Sequence, residues 1–260
     1  MRDIQPEVIF NLAAISSVAE SWESPSKTFE LNSQLVSVIL ETISDQSTYR
    51  KLNPTFIQAS SSEIFGQSVN YPQNELTPIS PINPYGASKA AAHHLTNVYR
   101  NKGLRASNCI LYNHESIRRP VNFVTRKITH SVAQISLGLQ DKLTLGNLDI
   151  GRDWGWAPDY AKAMYLVANS EKPGNYVIAT GKLHTLRELL EIAFATVGIE
   201  NWEGLVESSP DFIRPTETTV ALGDPTKITE ELGWTPSISF ESMITDMVHF
   251  DLELLRQSPN

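Results

Sequence analysis

Four short apolar runs, alternating with longer segments of helical period, restrict this chain to one broad kind of architecture. "EVIFNLAA" (7–14), "TFIQAS" (55–60), "ASNCILY" (106–112) and "NYVIAT" (175–180) read as buried parallel strands. Between them, "SPSKTFELNSQLVSVILETIS" carries Val36, Ile39, Leu40 and Ile43 at helix spacing. "NPYGASKAAAHHLTNVYRNKG" begins with a proline-bearing turn and stops at Gly103, the residue type that ends helices. Strands that alternate with helices predict an α/β protein with a parallel sheet. After about residue 113 the texture changes. Helical patterns such as "HTLRELLEIAFATVG" and "FESMITDMVHFDLELLRQ" sit among short strands and proline-rich turns, as in a smaller lobe on the C-terminal ends of the sheet strands.

The second run leads into "IQASSSEIFG" (57–66), an apolar stretch that ends in three serines and a glutamate. A polar loop capping the next segment would account for that, and so would catalysis. Ser61 and Glu63 stand two apart, so an extended segment turns them to the same side. About twenty residues on, "NPYGASK" places Tyr85 and Lys89 at i and i+4, on one helix face. A free phenol titrates near ~10, and a neighbouring ammonium stabilises the phenolate. Lowering it by about three units takes roughly 4 kcal/mol. A lysine one turn away acts in that direction. A bare YxxxK also occurs on solvated helices; the surrounding "PYGASK", following a strand that ends in serines, favours chemistry.

Composition excludes other classes. The 260 residues carry a net charge of −8, so no broad basic face is available for nucleic acid. No apolar stretch approaches the roughly 20 residues of a membrane span, and "MRDIQPEVIF" lacks the apolar core of a signal peptide. The single cysteine, Cys109, sits in "NCILY" as a buried small hydrophobe, and one thiol fits a reducing cytoplasm. The six histidines are scattered and His93-His94 lacks metal-ligand partners, so no metal site is expected.

The ordered set "NLAA", "SSSEIFG" and "PYGASK" resembles the extended short-chain dehydrogenase/reductase family. "YNHESIRR", "NFVTRKI", "LGNLDIGRDWGWAPDYAKAM", "VIATG", "RPTE" and "LGDPTKITEELGW" resemble, within it, the GDP-mannose 4,6-dehydratase family over almost the whole length. The resemblance implies an incomplete Rossmann-like doubly wound parallel sheet with a smaller C-terminal α/β substrate lobe. Residues 1–112 would form the remaining NADP-binding part and 113–260 mainly the nucleotide-sugar lobe, with 150–180 returning to the sheet. It also implies a lyase that takes NADP as cofactor and GDP-mannose as substrate, working as a dimer or tetramer in the cytoplasm.

By the same resemblance Tyr85, Lys89 and Ser61 remove the C4 hydroxyl proton, and Glu63 takes the C5 proton as water leaves C6. Epimerases of the group carry a hydroxyl but no carboxylate in this segment, so Glu63 separates the two readings. The family more often has threonine where Ser61 stands. Leu12, Ala13, Ala14 and Ser16 match a cofactor-contacting segment, together with Tyr85 and Lys89; His114 and Arg119 are matched to cofactor contacts too, although His114 equally fits a satisfied loop histidine. Asn113, Lys127, Asn147 and Glu217 are matched to the nucleotide sugar. Arg152 and Arg214 offer guanidinium forks that fit diphosphate oxygens, with surface ion pairs as the plainer alternative. Trp154 and Trp156 read as packing.

Nothing in the sequence reads GxGxxG or GxxGxxG after a strand, so the turn that brings backbone to a pyrophosphate is not found. The first strands and glycine motif are expected to be missing, through a truncated gene model or a degenerate remnant, with completion by a partner chain as a further option. The alternatives to a dehydratase are an inactive remnant or interaction module, or another nucleotide-sugar dehydratase or epimerase.

Overall fold

The computed structural model describes residues 4–45, 54–66, 68, 70–209 and 220–257. In chain order it begins with β1 (Val8–Asn11), α1 (Val18–Glu23), α2 (Pro25–Phe29), α3 (Leu35–Ser44), β2 (Thr55–Ser61), α4 (Pro84–Asn101) and β3 (Ala106–Leu111). Then come β4 (Asn113–Glu115), α5 (Val124–Ser136), β5 (Leu143–Leu145), β6 (Gly151–Arg152), β7 (Trp154–Trp156) and α6 (Ala157–Asn169). β8 (Asn175–Ile178), β9 (His184–Thr185), α7 (Leu186–Thr196), β10 (Val206–Ser208), β11 (Val220–Ala221), α8 (Thr226–Leu232) and α9 (Phe240–Gln257) follow.

The chain divides into two compact units. The first holds Met1–Tyr112, Tyr160–Gly181 and Gly223–Thr235. Its sheet has the order β1-β2-β3-β8, and every pairing in it is parallel. All residues of β2 and β3 are buried, polar Gln58, Ser60, Ser107 and Asn108 included, which is why these strands show no regular alternation of apolar and polar residues. Val36, Leu40 and Ile43 of α3, Ala92 of α4, and Phe56 and Ala106 of the sheet form one apolar cluster.

The first strand is shorter than the expected 7–14. It ends at Asn11, whose amide donates to Gln58 Oε1 at 2.8 Å. Beyond it the chain leaves the ladder, and Asn32 serves the backbone of Ile15: Ile15 N–H donates to Asn32 Oδ1 at 2.9 Å, and Asn32 Nδ2 donates to Ile15 O at 3.0 Å. Asn32 lies in a π-helical turn, Glu30–Gln34, inside what the sequence presents as one uninterrupted helix. Such turns widen a helix locally and often mark functional sites. α4 follows its motif closely: Pro84 opens it, and Gly103, at φ +101°, lies just past its end.

The second unit holds Asn113–Asp159, Lys182–Leu222 and Pro236–Asn260. Small sheets β4-β7, β5-β10 and β11-β6-β9 accompany helices α5, α7 and α9 around a core that includes Ile128, Val132, Leu189, Phe194, Trp202, Met243 and Met247. α7 starts with a full capping box between Thr185 and Glu188. Trp154 is buried and stacks on Phe240, with 5.7 Å between ring centroids. No described helix is long and apolar enough to cross a membrane.

Candidate active site

β2 delivers the serine cluster. Ser61 is its last residue, and the chain then tightens at once into a 3-10 turn, Ser62–Ile64. The expectation that an extended segment turns Ser61 and Glu63 to one side is therefore corrected. Glu63 lies on the turn, and Ser61 caps that turn by accepting from Glu63 N–H at 3.2 Å. A hydroxyl accepting a turn's N–H is what serine does well at such a start.

α4 is placed against this turn by its own first residues. Asn83 is the N-cap, with Oδ1 accepting from Gly86 N–H at 2.7 Å. Its Nδ2 donates to Glu63 Oε2 at 2.8 Å. Gly86 lets the helix come close: a Cβ there would stand 2.5 Å from Glu63 O, nearer than a side chain can approach. The Tyr85 N–H donates to Ser21 Oγ at 3.2 Å, tying α1 to the same helix start. So Ser61, Glu63 and the first turn of α4, with Tyr85 in it, are gathered at the carboxyl end of a parallel strand, where open α/β sheets bind ligands.

Lys89 lies one turn further along and is buried. Its Nζ donates to Ala59 O at 3.0 Å and stands 5.9 Å from the centroid of the Tyr85 ring. Burial pushes the ammonium down to about 8. No carboxylate among the described residues pairs with it. Around this pair runs a chain of polar contacts. Ser88 Oγ donates to Tyr85 O at 2.7 Å, Asn32 Nδ2 donates to Ser88 Oγ at 3.0 Å, and Ser33 Oγ donates to Ser88 O at 2.9 Å. Beside Ser61, Ser60 Oγ is 3.0 Å from His93 Nδ1. Burial, with the nearby His94 and Arg100 adding to it, lowers His93 to about 4, so the ring is neutral at neutral pH.

Of the segment matched to a cofactor, Leu12, Ala13 and Ser16 are exposed and Ala14 is half-buried. These residues, Ser61, Glu63, Tyr85 and Lys89 belong to the first unit; Asn113, His114, Arg119, Lys127, Asn147 and Arg152 belong to the second. Asn113 and His114 are half-buried in β4, which pairs with β7. Arg119 lies 3.3 Å from the buried Glu115 carboxylate and over the Phe123 ring at 3.7 Å. Burial raises Glu115, against the opposing pull of Arg119 and the Thr125 hydroxyl. Lys127 Nζ donates to Thr144 O at 2.7 Å, and burial lowers it. Arg152 is buried, with Nη1 donating to Gly151 O at 2.9 Å. Asn147 is exposed, and its Oδ1 accepts from Asp149 N–H at 2.9 Å. Arg214 and Glu217 lie outside the described residues.

Asn83, Ser60, His93, Asn32 and Ser21 are absent from the sequence-derived set. Only Asn83 left a signal, as a capping residue directly before the proline that opens the helix.

A family model described as GDP-mannose 4,6 dehydratase matches residues 1–247. The chain is 46% identical over 255 residues to GDP-mannose 4,6 dehydratase 1 of Arabidopsis thaliana, a match covering 98% of this chain and 70% of the relative. It is 38% identical over 277 residues to the GDP-mannose 4,6 dehydratase of Homo sapiens, covering 100% of this chain and 74% of the relative. Among solved structures, RMD from Pseudomonas aeruginosa complexed with NADPH superposes with a TM-score of 0.84 at 23% identity, over 96% of this chain and 82% of that one. DesIV, a dTDP-glucose 4,6-dehydratase from Streptomyces venezuelae solved with NAD bound, gives 0.82 at 25% identity, over 95% and 73%. The structural likeness establishes a Rossmann-like α/β fold.

Proposed function

The chain belongs to the GDP-mannose 4,6-dehydratase family, and from that premise we propose that it converts GDP-mannose to GDP-4-keto-6-deoxymannose with NADP as its cofactor. One packing contact carries the reading. The start of α4, with Tyr85 in its first turn and Lys89 one turn on, rests on the backbone of Glu63. A phenol poised for oxidation and a carboxylate poised for elimination thus share one end of β2.

The residues present fit a nicotinamide nucleotide. An ammonium has three donors, and the buried Lys89 uses one on Ala59 O, which leaves N–H groups for ribose hydroxyls. The exposed Leu12, Ala13 and Ser16 follow β1 at the ligand-binding end of the sheet. Held by Lys89 and the Leu12–Ser16 segment, the cofactor would supply a hydride acceptor for C4 and a hydride donor for C6. Tyr85, with the Lys89 ammonium one helical turn on, acts as the base that accepts the C4 hydroxyl proton, with Ser61 as hydrogen-bond partner. The resulting ketone acidifies C5–H. Glu63 takes that proton and hands it to the departing C6 hydroxyl, which leaves as water, and the proton held on Tyr85 balances the one C5 regains. Glu63 is what favours dehydration over epimerisation, which needs no base at C5.

Arg152 and Arg214 supply cationic groups for the diphosphate; Asn113, Lys127, Asn147 and Glu217 supply polar contacts to the nucleotide sugar; His114 and Arg119 serve the cofactor. The half-exposed Phe29, Val38 and Val98 on α2, α3 and α4 support a homo-oligomer, which light scattering tests. For the reaction itself the test is Glu63→Gln. Transfer of hydride from C4, followed by reduced-nicotinamide absorbance in a single turnover, is retained, while mass spectrometry finds no product lighter by one water. Water loss at the wild-type rate would overturn the assignment.

A further inference from the structure

We propose that Asn83 is a positioning residue for the elimination step: it fixes one oxygen of Glu63 and thereby aims the other. This deepens the proposed dehydratase function and rests on it. Asn83 spends its side chain on two tasks at once. Oδ1 closes the helix cap on Gly86 N–H at 2.7 Å, and Nδ2 donates to Glu63 Oε2 at 2.8 Å. Glu63 Oε1 takes no hydrogen bond from the described residues. A carboxylate with one oxygen held and one open is suited to accept a proton in a fixed direction.

The choice of residue type supports the assignment. Of the side chains that cap helices well, aspartate has no donor at neutral pH and would set a second negative charge against Glu63. Serine and threonine keep the cap, but their hydroxyl sits closer to the backbone and does not span to a carboxylate on another element. Asparagine alone pairs an acceptor for the cap with a separate N–H for the base. Asn83 is itself buried, so water competes little for that N–H, and Gly86 fixes the helix backbone against Glu63 O. Cap, base and phenol therefore move as one piece.

Asn83→Ser and Asn83→Asp separate positioning from capping, because both retain an acceptor for Gly86 N–H. In N83S, C4 oxidation stays within about threefold of wild type while water loss slows roughly 10- to 100-fold, the size expected when a catalytic group is misplaced by about an ångström. Reduced cofactor then accumulates during turnover, which it does not in wild type. N83D loses water more slowly still. A purely structural cap would instead lower both steps together along with thermal stability, and that result, or wild-type dehydration in N83S, overturns the proposal. If the wild-type chain itself forms no dehydrated product, the functional reading fails, and crystal structures of wild type and N83S still decide the point. A Glu63 carboxylate that turns away in N83S upholds the positioning role, and one that stays in place refutes it.

Discussion

Lys89 in the first unit and Arg126 in the second are buried almost equally, at 4% and 5% exposure. Both sit on long helices and both carry positive charge. Their surroundings differ in one respect. Arg126 is matched at every turn: Nε and Nη2 donate to Asp251 at 2.6–3.0 Å, Nη1 donates to Ile117 O and Arg119 O, and Thr129 Oγ1 donates to the second Asp251 oxygen at 2.8 Å. Lys89 has one carbonyl. A buried ion that is fully paired holds structure together, whereas one left short of partners lowers its own pKa and stands ready for chemistry. The two units thus use the same kind of group for opposite ends, and the contrast is open to experiment.

The largest expected effect is on rate. Lys89→Met should lower kcat by about 10³- to 10⁴-fold, the upper range for a group supporting acid–base catalysis. Its melting temperature should hold or rise, because the buried charge is gone. The same lysine sets an alkaline limit. The Lys89 ammonium is lost as pH rises through about 8, so under the proposed mechanism a kcat–pH profile should fall there instead of near the ~10.4 of an ordinary lysine.

Arg126→Met should do the reverse. Removing one partner leaves Asp251 buried and unpaired, at a cost of about 3–5 kcal/mol in urea unfolding. Arg126→Met combined with Asp251→Leu should recover most of that. If K89M unfolds easily, or R126M keeps its stability, the contrast between the two sites is wrong.

His93 sharpens the same point from the side of a neutral base. Its native pKa of about 4 lies below the ordinary 6.5, so between those values the unfolded chain binds a proton that the native one does not. Stability should therefore fall as pH drops from 6.5 to 4, by at most about 3 kcal/mol, and His93→Gln should flatten that limb. Smallest of all, Thr129→Val removes one hydrogen bond from Asp251 and should cost about 1–2 kcal/mol.

Much of this was legible in the residues. Buried strands announce themselves as apolar runs, so the cores of β2, β3 and β8 were readable, and Tyr85 and Lys89 fall on one face by helix period alone. β1 was readable as a strand but not as a buried one, since Val8 and Ile9 are half-buried and Phe10 is exposed. The ends were less so. Leu12–Ala14 looks like strand but lies past the end of β1, before Ile15, whose backbone is bonded to the distant Asn32. Ser61 and Glu63 look like neighbours on a strand but are divided by the onset of a turn. Asn83 falls in the proline-bearing turn and drew no reading of its own, because its second contact lies on another element.

The sequence by itself determined the alternation of strand and helix, the proline-bearing start and glycine stop of α4, and which side chains are of a type able to do acid–base work. Each depends on residues within a turn or two of one another, where periodicity and capping act. Only the tertiary structure decided that Lys89 is desolvated beside a single carbonyl, that Asn83 reaches Glu63, and that Gly223–Thr235 rejoins the first unit. Those outcomes follow from contacts between distant parts of the chain, since the cost of burying a charge and the reach of a hydrogen bond are properties of what packs around a group, and local pattern does not record them.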